Sequence, residues 1–148
     1  MANPDGWLEH TVQVQVERPV ADVWRLWSDL EQMPNWMQWI QAVHISPDQP
    51  GLSSWVLGTQ QFHFTWRSRI VKQIHHQLIQ WEAIDGLPNR GAIRFYDQNP
   101  NTIVKMTVAY AIPGIIGQVM DRLFLGKLVE STLQADLNRF RNYAISKI

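Results

Sequence analysis

The chain has 148 residues, and its thirteen basic and thirteen acidic side chains leave no formal net charge at pH 7. This length is typical of one domain, and the balanced charge creates no overall field that would attract nucleic acid or an anionic membrane. The lack of cysteine excludes disulfides, thiolate catalysis and cysteine-based metal sites. We therefore expect a single domain, 1–148, with a neutral small-molecule or protein partner and no nucleic-acid partner.

The N-terminal nine residues contain no basic stretch and no apolar run, so they do not resemble a secretory signal. The most apolar stretch, 115–129, is interrupted by Asp121, Arg122 and Lys127 and is too short to span a bilayer unaided. The sequence thus predicts no transmembrane segment, and we expect cytoplasmic residence.

Alternation of apolar and polar residues over 12–17 predicts the first strand. Pro19 lacks the N–H donor of a strand residue and suits the first turn of a helix, which we predict to run to about Asp29. A second short helix is predicted within 31–40, where Pro34 interrupts or starts it. The apolar face of the first helix comprises Val20, Val23, Trp24, Trp27 and Leu30.

The middle of the chain has the period-two pattern of strands, separated by segments rich in Gly, Pro, Asn and Asp. Turns are predicted at Asp85 to Gly91 and at Asn99-Pro100-Asn101. The predicted strands are 43–45, 53–57, 60–73, 78–84, 92–97 and 102–111.

From Pro113 onward the apolar period becomes helical and predicts one long C-terminal helix. Its apolar stripe comprises Ile116, Met120, Leu123, Phe124, Leu128, Leu133, Leu137, Phe140 and Ala144. The order of elements is therefore strand, two helices, several strands and a long helix.

Several short motifs carry a family resemblance. They are Pro19-Val20-Ala21-Asp22-Val23-Trp24 with Trp27-Ser28-Asp29, then Met33-Pro34-Asn35-Trp36-Met37, and then Ile79-Gln80-Trp81 followed by Gly86 and Gly91. With the order of elements, they resemble the START-like superfamily, which includes polyketide cyclase/dehydrases, coenzyme-Q-binding proteins and birch-pollen-allergen-like proteins. The resemblance implies an α+β helix-grip fold. In this fold a curved antiparallel sheet wraps around a long C-terminal helix and leaves a cavity for lipids, quinones, polyketide intermediates or other apolar molecules. The family has no single catalytic signature to carry over.

Strand parity separates an apolar inner face from a charged outer face, because alternate residues of a strand point to opposite sides. The charged outer face argues against acid–base chemistry inside the cavity. The inner set is Val12, Val14, Val16, Phe62, Phe64, Trp66, Ile70, Ile79, Trp81, Ala83, Ile93, Phe95, Val104, Met106, Val108 and Tyr110. The outer set is Arg67, Arg69, Gln80, Glu82, Arg94 and Lys105.

Parity and the resemblance together predict twelve ligand-binding residues, and core packing is the alternative for each of them. Trp24 and Trp27 we interpret as core. For Tyr110, a ligand-orienting hydroxyl and a cap on the core are both open. The twelve are Trp36, Trp39, Trp55, Phe62, Phe64, Trp66, Trp81, Phe95, Met106, Tyr110, Met120 and Phe124.

The sequence predicts no catalytic residue, no metal site and no cofactor. His10, near a strand end, is interpreted as solvated or structurally hydrogen-bonded. His75 and His76 are adjacent in a turn, and His44 and His63 have no partner at ligand spacing.

The leading hypothesis is binding or transport of a hydrophobic small molecule: a lipid, an isoprenoid or quinone, or a polyketide-like compound. One alternative is a polyketide aromatase/cyclase, which would require polar groups such as Arg67, Arg69 or Arg94 to point inward through a register shift. Another is a protein-interaction module that uses an exposed patch of Trp36, Trp39 and Trp55. A transient membrane contact through basic residues of the C-terminal helix and the oligomeric state are both left open.

Overall fold

The computed structural model describes residues 7–111 and 122–147. Its largest element is a seven-stranded antiparallel sheet, in which β2 to β7 follow one another as hairpins and β1 crosses over to pair with β7. The strands are β1 (Leu8–Val16), β2 (Ile40–Ile45), β3 (Leu52–Gly58), β4 (His63–Ile74), β5 (Leu78–Gly86), β6 (Asn89–Asp97) and β7 (Thr102–Tyr110), in the spatial order β1-β7-β6-β5-β4-β3-β2. The sheet curls around the C-terminal helix, which confirms the predicted helix-grip fold of the α+β class.

The helices follow the predicted order. Helix α1 spans Val20–Ser28, a 3₁₀ helix spans Leu30–Asn35, and α2 spans Arg122–Ser146. The second predicted helix is thus a 3₁₀ helix that ends before Trp36, and β2 begins at Ile40. The predicted start of the last helix at Pro113 lies outside the described residues. In the described part of the chain, no helix is long and apolar enough to cross a bilayer.

Two irregularities in the pairing of β4 with β5 increase the local bend of the sheet. Gly86 at the end of β5 has φ +79°, and a Cβ there would overlap the backbone of Thr65 and Trp66, so glycine is required. The irregularities do not turn arginines inward. Arg67 remains exposed and bonds Asp85 at 2.6 Å, and Arg69 pairs with Glu82 on the same outer face.

One end of the inner face is filled by interlocking rings. Trp24 of α1 meets Phe95 of β6 edge to face at 5.2 Å, while Phe140 of α2 meets Trp27 at 4.9 Å and Trp36 at 5.0 Å. We call these five residues and their surroundings the packed end. Aromatic pairs in this geometry add to the stabilisation that burial alone provides.

The buried face of α2 differs from the predicted stripe at its start. Leu123 is 67% and Phe124 59% exposed, whereas Leu125 is 5% exposed and Phe140 is fully buried. At 3.6 residues per turn, Phe124 lies about 160° around the helix from Phe140, while Leu125 lies only about 60° away. The prediction that Leu123 and Phe124 belong to the apolar face was therefore wrong.

Candidate ligand-binding cavity

A cavity of about 220 Å³ lies beside the packed end, between the inner face of β3 to β7 and helix α2. Side chains of α1, of the 3₁₀ helix and of the segment leading to β2 also contribute to its wall. We call this region the open end. Its lining comprises Trp27, Leu30, Met33, Met37, Trp39, Ile40, Ser53, Trp55, Leu57, Thr59, Phe62, Phe64, Trp66, Ser68, Ile70, Ile79, Trp81, Leu87, Asn89, Ile93, Met106, Val108, Tyr110, Leu125, Val129, Thr132, Leu133 and Asp136.

Two indoles of the wall have their N–H groups bonded to neighbouring side chains. Trp55 Nε1 donates to Ser53 Oγ at 2.8 Å, and its ring stacks on Trp66 at 5.8 Å with an interplanar angle of 9°. Trp81 Nε1 donates to Asn89 Oδ1 at 3.1 Å. Because these donors are satisfied within the protein, the indoles can line an apolar space without an unpaired polar group.

Trp81 also explains why glycine stands at position 91. Gly91 is the partner of Trp81 across β5 and β6. A Cβ on Gly91 would lie 2.6 Å from Trp81 Cζ2 and would also overlap the carbonyl oxygen of Thr107. The missing side chain therefore lets the indole lie close to the backbone of β6.

Three polar side chains, Glu130, His10 and Tyr110, are hydrogen-bonded in series from the protein surface to the cavity wall. His10 Nε2 lies 2.9 Å from the hydroxyl of Tyr110, and His10 Nδ1 lies 3.3 Å from Glu130 Oε1 on α2. The histidine side chain is 3% exposed, whereas that of Glu130 is 59% exposed. The structure therefore shows the second of the two interpretations of His10, a buried histidine with structural hydrogen bonds. The contact between His10 and Tyr110 was not predicted from the sequence.

A second titratable group lines the cavity where it meets the packed end. Asp136 Oδ1 accepts the backbone N–H of Gln38 at 3.1 Å and also pairs with Arg139, whose Nε donates to the carbonyl oxygen of Trp36. Burial raises the pKa of Asp136 above its usual value, although the bonds from Gln38 and Arg139 oppose that effect. Asp136 therefore ties α2 to the segment between the 3₁₀ helix and β2.

The structure brings eight of the twelve predicted ligand-binding residues together around the cavity: Trp39, Trp55, Phe62, Phe64, Trp66, Trp81, Met106 and Tyr110. Trp36 and Phe95 lie in the packed end, and Phe124 is exposed on the far side of α2. Met120 lies outside the described residues. Trp36 is only 1% exposed, so it cannot form part of an exposed tryptophan patch.

The sequence predicted that the last helix contributes Met120 and Phe124 to the site, but it did not predict the α2 residues that line the cavity or several polar groups of the wall. Val129, Leu133 and Asp136 line the cavity and lie within about 40° of Phe140 around the helix. Helical phase counted from Phe140 would have found them. Asn89 was assigned to a turn, and its bond to the Trp81 indole had no signal in the sequence.

A family model described as polyketide cyclase/dehydrase and lipid transport matches residues 16–138. The chain belongs to this family. The match includes α1, the 3₁₀ helix, all strands after β1 and most of α2, so it contains nearly every element that forms the cavity. The comparison with curated proteins found no match.

Solved structures share the START-like fold of this family member. TTHA0849 from Thermus thermophilus superposes with a TM-score of 0.79 at 18% identity, covering 94% of this chain and 98% of that one. The Zhui aromatase/cyclase from Streptomyces sp. R1128 gives 0.74 at 19% identity, covering 93% of each chain. A START superfamily protein from Mycobacterium smegmatis gives 0.74 at 14% identity, covering 95% and 99%. At these identities the likeness shows the fold.

Proposed function

We propose that the protein binds a compact hydrophobic small molecule in the open end. The observation that carries this proposal is the volume of about 220 Å³ left between walls that are almost entirely apolar. An engineered apolar cavity of about 150 Å³ stays dry and binds benzene. A larger cavity with aromatic walls offers a ligand the same gain from burial and dispersion.

A ring system of about the size of naphthalene suits a cavity of about 220 Å³. Pockets for drug-sized molecules usually enclose roughly 300–1,000 Å³, and this cavity is smaller. Among the ligand classes expected from the sequence, a quinone ring or a small polyketide-like ring fits inside. A longer lipid or isoprenoid would place only one end in the cavity.

Binding is favoured over catalysis by the positions of the charged groups. Among the described residues of the cavity wall, the titratable side chains are Tyr110 and Asp136. Arg67 and Arg69, which the cyclase alternative would need inside, are exposed on the outer face and paired with acidic residues. The cavity therefore offers few groups for proton transfer and a large apolar surface for contact.

The test is calorimetric titration with naphthalene, which has no polar group, on the wild type and two matched variants. Val108 lines the cavity, whereas its neighbour Thr107 lies on the opposite face of β7. We expect Val108→Trp to fill the cavity and abolish binding, and Thr107→Trp to bind like the wild type. Wild-type protein that binds no naphthalene, or a Val108→Trp variant that binds it unchanged, would contradict the proposal.

A further inference from the structure

The two carboxylate oxygens of the buried residue Asp136 have different surroundings. Asp136 is 3% exposed and lines the cavity where it meets the packed end. Its Oδ1 atom accepts the backbone N–H of Gln38 at 3.1 Å and a second hydrogen bond from Arg139. Among the described residues, no group donates a hydrogen bond to Oδ2. The protein therefore satisfies one oxygen of this carboxylate and leaves the other without a donor.

The Oδ2 atom of Asp136 borders the cavity. In the described part of the chain, the fully enclosed side-chain polar atoms that lack a partner are Arg18 Nε and Trp36 Nε1. Asp136 Oδ2 lacks a partner but is not enclosed in this way, and because its side chain lines the cavity, the space beside it is the cavity. A carboxylate oxygen without a donor is costly in such an apolar site, so a ligand that supplies the donor gains affinity.

The charge of Asp136 is balanced by Arg139. The guanidinium keeps its proton in proteins and forms an ion pair with the carboxylate. Burial raises the pKa of Asp136, whereas the hydrogen bond from Gln38 and the charge of Arg139 favour the ionised form. An ionised carboxylate can only accept, so Oδ2 requires a donor. A neutral donor suits it better than a cation, because Arg139 already neutralises the charge.

Other polar groups of the wall compete less well for a donor on the ligand. Ser53 Oγ and Asn89 Oδ1 each already accept an indole N–H of the wall. Thr132 lies one turn before Asp136 on the same face of α2 and also lines the cavity. Its hydroxyl is neutral, and hydrogen bonds to a charged acceptor are roughly twice as strong as those between neutral groups. Asp136 is therefore the preferred acceptor.

We propose that Asp136 Oδ2 accepts a hydrogen bond from the ligand, so that the cavity takes a compact, neutral ring system that carries a hydroxyl or N–H group. This inference rests on the proposed binding function and names its ligand class. The apolar walls hold the ring, and the carboxylate orients the donor towards α2. A buried acceptor of this kind discriminates strongly against a ligand that lacks the donor.

The first test compares 2-naphthol with 2-methylnaphthalene, because a hydroxyl and a methyl group are similar in size and only the hydroxyl donates. Calorimetric titration at about pH 8, well above the usual pKa of a carboxyl group, measures both affinities on the wild type and on Asp136→Asn. The ratio of the two affinities on each protein cancels the different solvation of the ligands in water. We expect the preference for 2-naphthol to fall about fivefold in the variant, because a neutral amide replaces the carboxylate.

The same variant should reverse the hydrogen-bonding polarity at this position. Gln38 and Arg139 both donate to Oδ1, so the amide oxygen of the variant takes that position and its NH₂ group replaces Oδ2. Quinoline has the shape of naphthalene and only accepts hydrogen bonds. We expect its affinity relative to that of naphthalene to rise about three- to tenfold in Asp136→Asn. A merely structural effect of the substitution would change the affinities of quinoline and naphthalene equally.

Asp85→Asn is the matched control, because it removes the same charge from an exposed carboxylate that pairs with Arg67 on the outer face. We expect both affinity ratios of this control to equal those of the wild type. If naphthalene does not bind the wild type, both proposals fail. If naphthalene binds and Asp136→Asn leaves both ratios unchanged, the cavity binds ligands without selection by Asp136, and only this inference is overturned. A wild type that prefers quinoline to naphthalene would also overturn it, because Oδ2 would then carry a proton.

Discussion

The packed end and the open end contain the same types of aromatic residue, but one is a filled core and the other encloses a cavity. Both lie on the inner face of one sheet, and both are rich in tryptophan and phenylalanine. In the packed end, rings from α1, the 3₁₀ helix region and α2 meet edge to face and fill the space. In the open end, Trp55 and Trp66 lie parallel to each other, and the Trp55 N–H bonds within the wall. The number of aromatic residues therefore does not distinguish a core from a cavity. The difference depends on which neighbouring elements pack against the aromatic rings.

The difference is visible along a single pair of strands. Phe95 of β6 is opposite Val104 of β7, and both are buried in the core. Two pairs further on along the same face, Gly91 is opposite Val108, which lines the cavity. The side-chain parity is the same in both pairs. Position along the strand decides whether an inward side chain meets a neighbour or open volume.

The largest expected contrast is between truncations of a phenylalanine at each end. Phe140→Ala removes a ring buried among Trp27 and Trp36, and we expect it to lower the free energy of unfolding by about 3–5 kcal/mol. Phe64→Ala removes a half-buried ring beside existing space, and we expect a loss of about 1 kcal/mol. Urea unfolding measures both values. Equal losses would mean that the cavity wall is packed as tightly as the core.

A smaller loss of stability is expected when one methyl group is added at Gly91, against the indole of Trp81. In Gly91→Ala the new Cβ overlaps Trp81 and the backbone of β7, and we expect a loss of about 1–3 kcal/mol together with a shift in tryptophan fluorescence. Gly51→Ala is the control, because no heavy atom lies within 4 Å of its added Cβ. If both variants are as stable as the wild type, the Trp81 side chain can move away from the added methyl group without loss of stability.

The same enlargement at two positions of β7 gives a sharper comparison. Val104→Ile adds a methylene group in the packed end, and overpacking there should cost about 1–2 kcal/mol. Val108→Ile adds the same group next to the cavity and should be neutral or stabilise by up to about 0.8 kcal/mol. Both free energies come from urea unfolding. A loss of equal size at Val108 would show that the open end has no room for the added group.

The smallest expected effect is a pH dependence at the boundary between the two ends. Burial raises the pKa of Asp136, so the folded protein holds this proton more tightly than the unfolded chain does. The contribution of protonated Asp136 to the stability of the fold is fully present below the pKa that Asp136 has in the unfolded chain. This contribution is lost as pH rises through the higher pKa of Asp136 in the folded protein. Because an amide side chain cannot ionise in this range, Asp136→Asn should gain stability relative to the wild type over that interval.

Asp85→Asn provides the opposite case. The hydrogen bond from Arg67 lowers the pKa of Asp85, so its contribution is present above the unfolded pKa and is lost as pH falls through the folded one. Relative to the wild type, this variant should therefore lose stability as pH rises, and at lower pH than the Asp136 effect. Unfolding in urea across the acidic range measures both differences. If the stability differences of the two variants changed with pH in the same direction, one of the two assignments would be contradicted.

The fold was largely predictable from the sequence because periodicity and turn residues are local signals. Alternation over 102–111 predicted β7 and its inward residues, and Pro19 marked the start of α1. The same parity predicted that Arg67 and Arg69 face outward, as the structure shows. These features depend on neighbours along the chain.

The candidate site was less predictable because it depends on contacts between distant segments. Nothing near Phe95 in the sequence reveals that Trp24 covers it, and nothing near His10 reveals that it meets Tyr110 and Glu130. The misplacement of Phe124 was avoidable, since helical phase puts it opposite Phe140. Parity and phase assign a face, and tertiary packing then decides which part of that face stays open.

The crossover of β1 has a consequence for synthesis on the ribosome. Val12 pairs with Met106, so the first strand to emerge finds its neighbour in the sheet only when the seventh has been translated. The hairpins from β2 to β7 can form earlier, whereas closing the long loop from β1 to β7 carries a larger entropic cost. Nascent chains released before β7 would carry β1 without its partner strand, an apolar segment suited to recognition by chaperones.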